Sequence, residues 1–231
     1  MDTKIAQATL DKIIGQIFGY QNPFTLEQFQ AKYAFDVRLP QQVTDSTTGE
    51  ITWSQSPNPS KFITVSNTWK MEEFWEKRPK RELKSIEDII AAWNEINLTA
   101  TERYLDSINV AESDNIYSSE NVYRSQDIHG SKNVLFGDGV IDSEFVVAGQ
   151  RSNTLSYCAR VEDSTSCSNS FSVIWSKKIV NSFFIEDCGD MYECMFCSHT
   201  SNKKFCIANM QFEEAEYRVL KDMVIRWILT A

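Results

Sequence analysis

The sequence predicts a mixed α+β chain: an α-rich N-terminal cap over residues 1–104, a parallel β-helix over 105–211 and a capping helix over 212–231. Three observations lead there. Apolar residues recur at helical spacing near both ends of the chain, and a six-residue clock of small and aliphatic residues fills the span between them. The composition, 42% hydrophobic and 24% charged over 231 residues, is that of a globular chain with a real core to bury, which excludes disorder and collagen.

Leu10, Ile13, Ile14, Ile17 and Phe18 form one helical stripe with Gly19 as its stop, and Thr25-Leu26-Glu27-Gln28 is a capping box that opens a second helix. From Asp36 to Asn67 the pattern turns to short β-prone runs: Val37-Arg38-Leu39, Ile51-Thr52-Trp53 and Phe62-Ile63-Thr64-Val65. The turns between them are read at Asp45 to Gly49 and at Ser56-Pro57-Asn58-Pro59-Ser60, giving a small hairpin or three-stranded element. A helix is expected to open between Trp69 and Trp75. Ser85 caps another, with Ile86, Ile89, Ile90 and Trp93 on one face, and Thr99-Ala100-Thr101-Glu102 offers a further capping box before Tyr104. The basic run Lys77 to Lys84 lies beside Glu72, Glu73, Glu76 and Glu82 and reads as a mixed-sign solvated linker.

From Ser107 a small residue returns at every sixth position: Ser107, Ser113, Ser119, Ser125, Ser131, Gly137, Ser143 and Gly149. Three residues later in each hexad stands an aliphatic, from Val110 and Ile116 to Val146, and Asn109, Asn115, Asn121, Asp127 and Asn133 form a third column. Near Gly149 the register slips by three, after which the small column runs from Ser152 to Cys206 and the apolar one from Leu155 to Cys197. No α-helix has this period, and a flat strand cannot point residues three apart to the same side, so each hexad must bend and the chain must coil. Three hexads per triangular coil predict ladders of residues about 18 apart and about 4.8 Å from one another. Such ladders are Leu155/Val173/Met191, Val161/Ile179/Cys197 and Ser164/Ser182/Thr200, in about five coils. The spacing leaves handedness open and favours the right-handed form. After the last hexad, Tyr217, Leu220, Val224, Trp227 and Ile228 form a helical stripe behind Glu213 and Glu214, suited to cover an open end.

The run Ser119-Glu120-Asn121-Val122-Tyr123-Arg124-Ser125 and the closing Lys204-Phe205-Cys206-Ile207-Ala208-Asn209-Met210-Gln211, followed by Glu213-Glu214-Ala215-Glu216-Tyr217, resemble uncharacterised bacterial Cys-rich parallel β-helix repeat proteins. Those chains carry Ser-x-Asn-x-Tyr hexads and end in a Tyr-Cys-Ile-x-Asn-x-Gln segment before an acidic helix. The resemblance covers about residues 105–220, with the closing motif its most specific part, and it implies a β-helix and no activity. Many of those proteins resemble zinc ribbons at their start, whereas no cysteine precedes Cys158 here. Tubulin-cofactor-C-like solenoids are similar more loosely, and their arginine-centred loop has no match.

The chemistry the sequence offers is sparse. Twenty-three Lys and Arg against 32 Asp and Glu give a net charge of −9, which makes nucleic acid a poor partner. No stretch approaches the ~20 apolar residues of a membrane span, and Met1-Asp2-Thr3-Lys4-Ile5 does not open a secretory signal, so a cytoplasmic chain with reduced thiols, no membrane and no cofactor is expected. Cys188, Cys194, Cys197 and Cys206, with His199 beside them, carry soft-metal ligand types, but each cysteine also fits an inward repeat position, so packing is preferred to zinc. Cys188 and Cys206 would be vertical neighbours on the triangular coil. His129 and His199 are expected on the surface. Of the carboxylates Glu162, Asp163, Glu186, Asp187, Asp190 and Glu193, Glu162 and Glu186 are expected on different sides of the coil, and Gly137-Asp138-Gly139 lacks the lysine and helix of a phosphate loop. Phe171, Trp175, Phe183, Phe184, Tyr192 and Phe196 are read as outer-wall aromatics, more than a solvated wall requires, and so as a binding surface unless the last helix covers them. The expectation is a non-catalytic binding or scaffold protein with a protein partner or itself, a homodimer with Phe183 or Phe184 in its contact. The alternative is an enzyme or zinc-thiolate protein using the Cys188 to Cys206 end or an acidic groove.

Overall fold

The computed structural model describes residues 1–56 and 61–230, the side chains of Glu72 and Phe74 apart, so the turn expected at Pro57 to Ser60 lies outside the described residues. Its centre is a parallel β-solenoid of about nine turns between residues 104 and 207. The coil closes after two hexads, not three. Glu144 aligns with Ser156, and Ser156 with Ser168, an advance of twelve residues per coil. The aliphatic ladder is therefore Val161, Val173, Ile185 and Cys197, while Ile179 aligns with Met191. The reason is the number of bends. Left-handed φ values recur at every third residue, for instance at Asn115, Ser118, Asn121, Arg124 and Asp127, and four such bends close a four-sided coil. Asn and Asp enter that conformation at least cost, which accounts for the third column of the sequence. The Asn115 amide donates to Asp127 at 2.6 Å, and that of Asn121 to Asn133 at 3.0 Å.

The small column has a hydrogen-bonding reason. The Ser131 hydroxyl donates to the carbonyl of His129 at 2.8 Å and accepts the N–H of Ser143, twelve residues on, at 3.1 Å. Ser119, Ser125, Ser143, Ser164 and Ser176 do the same, so a hydroxyl from the coil below satisfies a buried backbone donor that no carbonyl reaches. At the register slip the columns exchange: Val140 stacks on Ser152, Val146 on Cys158, and Gly149 on Val161. A Cβ at Gly149 would lie 2.7 Å from Val146 and 2.9 Å from Val140, so only glycine fits where the two registers meet.

One outer wall is apolar along its length, with Tyr123, Leu135, Val147, Ala159, Phe171, Phe183 and Met195 each following an inward residue. Three helices cover it: α1 (Thr3–Phe18), α2 (Leu26–Tyr33) and α5 (Glu214–Ile228). Asp2 caps α1 by accepting the Ile5 N–H, Gly19 closes it at φ 73°, and the Thr25/Gln28 box caps α2. Glu193, almost wholly buried on the solenoid, accepts from Arg218 and Lys221 of α5 and pins that helix down. α1, α2 and α5 thus pack against the apolar column of that wall. The ends are closed by β-structure. At the start stand the antiparallel pair β1 (Gln41–Thr44) and β2 (Ile51–Ser54), and β3 (Phe62–Thr64), which pairs in parallel with β4 (Thr99–Thr101). At the finish Met210–Gln211 folds back antiparallel on Ser201–Ile207 and blocks the strand edge. Between β3 and β4, ahead of the solenoid, the chain forms α3 (Val65–Glu76) and α4 (Ile86–Asn94).

Candidate functional site: an aromatic groove beside the terminal helix

Of the six aromatics read from the sequence as outer wall, the structure buries two, joins two and separates two. Phe171 and Phe183 are core residues, in ring contact with Phe18 of α1 at 5.5 and 5.3 Å. Phe183 cannot form the dimer contact expected of it while α1 and α5 stand over it. Trp175 is exposed on another wall, its indole N–H donating to Asp163, and Tyr192 stands on a third under the Lys204 ammonium. Phe184 and Phe196 come together. They occupy the same bend on consecutive coils and stack with centroids 4.6 Å apart and planes 6° from parallel.

Trp227 of α5 completes the cluster, 5.8 Å from Phe184 and 6.5 Å from Phe196. The three rings line a groove with two depressions. One is lined by Ser172, Ile174, Glu186 and Ser198, the other by Lys32, Tyr33, Ile228 and Thr230. Phe196 is 42% exposed and Trp227 61%. Tyr33 donates to the Ile228 carbonyl at 2.6 Å, and burial, outweighing the nearby Arg160, pushes its phenol up to about 12, so it is a neutral donor at physiological pH. Sequence reasoning missed Trp227 as a site residue because it belongs to the apolar stripe of the terminal helix, and only the angle at which α5 lies on the wall leaves it half open.

The six cysteines are free and buried. Cys188 and Cys206 are not vertical neighbours: the partner of Cys206 is Cys194, and Cys188 follows Ser176, donating its backbone N–H to the Ser176 hydroxyl where the serine ladder ends. Each thiol repeats the serine contact, Cys188 with the Glu186 carbonyl at 3.2 Å, Cys194 with that of Tyr192 at 3.4 Å and Cys197 with that of Met195 at 3.3 Å. Burial pushes Cys167 up to about 11, and the hydrogen bond between Cys194 and Cys197 raises the first thiol and lowers the second. Among the described residues no three His, Cys, Asp or Glu side chains are placed to hold one metal ion. The folded protein is therefore expected to leave all 6 cysteines unreactive toward a disulfide reagent that titrates them fully in denaturant, and a chelator is expected to leave its unfolding curve unchanged. One zinc per chain on metal analysis would overturn this assignment.

Most of these acidic residues have a polar partner. Arg151 pairs with Glu162 and Asp163, Lys178 with Asp190, and His199 with Asp187 at 2.8 Å. Glu162 and Glu186 share one column with Ile174 between them, a consequence of the twelve-residue coil, and not different sides. Glu162 is held by Arg151 in that position, while Glu186 faces the aromatic groove. His129 stacks on Tyr117 at 4.9 Å. Among the described residues no helix is long and apolar enough to cross a membrane. No protein-family model matches the chain, and no curated protein matches it.

Proposed function

We propose that the chain is a non-catalytic binding or scaffold protein in which the solenoid is a rigid frame and the Phe184, Phe196 and Trp227 groove is the contact for a protein partner. The observation that carries this reading is the exposure of the stacked rings. Phe196 and Trp227, beside the partly buried Phe184, remain open to water after three helices have covered the neighbouring column. An apolar cluster left open beside a covered one is what a recognition surface carries and a solvated wall does not. The ammonium of Lys32 on one side and the carboxylate of Glu186 on the other suit an extended peptide that offers an apolar side chain to the rings. The Cys-rich repeat resemblance adds no activity to this reading.

Peptides selected from a random displayed library on the wild type are expected to be rich in apolar and aromatic residues, and to lose about tenfold or more in affinity for Phe196→Ser and Trp227→Ser. Peptides that bind the wild type and both variants equally would place the contact elsewhere and defeat the proposal.

A further inference from the structure

The excursion between β3 and β4 carries an apolar helix face that is left exposed among the described residues. α4 is nine residues long, capped by a reciprocal Ser85/Asp88 box, and buries none of its residues. Ile86, Ile89, Ile90 and Trp93 form its stripe and are 47–60% exposed, with Leu83 before it and Ile96 after it exposed as well. Polar ties hold the helix: Arg78 and Arg81 reach Glu95, Arg78 also reaches the Ala92 carbonyl, and Lys61 donates to that of Asn94. A helix shorter than about 12–15 residues is marginal in water without an apolar partner.

We infer that this face is the interface between two copies of the chain, with the two α4 helices packed antiparallel about a two-fold axis. The stripe is self-complementary. Ile86 and Trp93 stand about 10 Å apart along the axis, so reversal sets the Trp93 of each copy over the other's Ile86 and brings Ile89 and Ile90 to the dyad. The charges choose the direction. Glu87 and Asp88 stand in the first turn of the helix and Arg78 and Arg81 gather on Glu95 at its end, so antiparallel packing sets unlike charges beside each other at both ends, whereas parallel packing would set Glu87 and Asp88 of one copy beside those of the other. The area suffices. At roughly 100 Å² for each half-exposed large side chain, the six residues from Leu83 to Ile96 present about 600 Å² per copy, and pairing buries about 1,200 Å², the lower edge of stable interfaces. A lipid surface is disfavoured by Glu87 and Asp88 on the helix and by the net charge of −9.

The inference is independent of the aromatic groove, and sedimentation separates the two. The wild type is expected to sediment as a dimer at tens of micromolar. Ile89→Glu with Ile90→Glu should raise the dimer dissociation constant about a hundredfold or more while leaving the melting temperature of the monomer's core in place, because both residues are exposed in the single chain. Glu87→Lys should weaken the dimer less, and Phe196→Ser should leave it intact. A wild type that stays monomeric at that concentration overturns the inference, whether or not it binds vesicles of anionic phospholipid. So does a dimer that survives the double substitution, or one that Phe196→Ser dissolves.

Discussion

Val173→Asp is expected to unfold the protein at room temperature, and Ser172→Asn, one position away, to change its melting temperature little. Val173 is 0% exposed between Val161 and Ile185 in the inward ladder. A carboxylate there has no cation and no water, and burying it costs several kcal/mol, a large share of the ~5–15 kcal/mol that holds a domain folded. The effect also spreads, since a solenoid coil owes its stability to the coils above and below it. Ser172 faces outward at a bend with φ 56°, a conformation asparagine accepts readily. Circular dichroism melts of the two variants check the pair. Equal losses would refute the inward and outward assignment of the hexad.

The second large effect is expected at Asp45, whose buried carboxylate gathers the closing structure at the start of the solenoid. One oxygen accepts from the Thr47 N–H, the Thr47 hydroxyl and the Thr48 N–H, and the other from the Thr64 N–H and the Asn67 amide. Burial alone would raise this carboxyl, but those donors together hold it far below the usual carboxylate range. Asp45→Asn turns one acceptor into a donor facing Thr64 and Asn67, and is expected to cost about 3 kcal/mol. The pH dependence follows from the sign of the shift. With the folded pKa depressed, the stabilisation is fully present above the unfolded value of about 3.9 and fades as the pH falls below it. Denaturant unfolding of wild type and variant should therefore differ most at neutral pH and converge in acid. A difference that stays constant down to about pH 2 would show that the ionised carboxylate is not the source.

The chain of residues by itself determined the solenoid. A hexad of small and aliphatic residues admits neither a helix nor a flat strand, and the caps at Thr25 and Ser85 and the stop at Gly19 are local signals that lie where they were read. The inward columns are legible too, because burial repeats with the sequence. Tertiary structure decided how many hexads close a coil, since any whole number keeps the period and only the angle of successive bends selects two. From that choice follow the pairing of Cys194 with Cys206, the shared column of Glu162 and Glu186, and the stacking of Phe184 on Phe196. Tertiary structure also decided which aromatics stay open. Phe183 and Phe184 are adjacent in sequence and equal in hydropathy, yet one lies under α1 and α5 and the other at their margin, because neighbours along a coil edge face different sides of a bend. The amphipathic stripe of α4 looks in sequence like any core-facing helix, and whether such a stripe is buried is a property of what the rest of the chain brings against it.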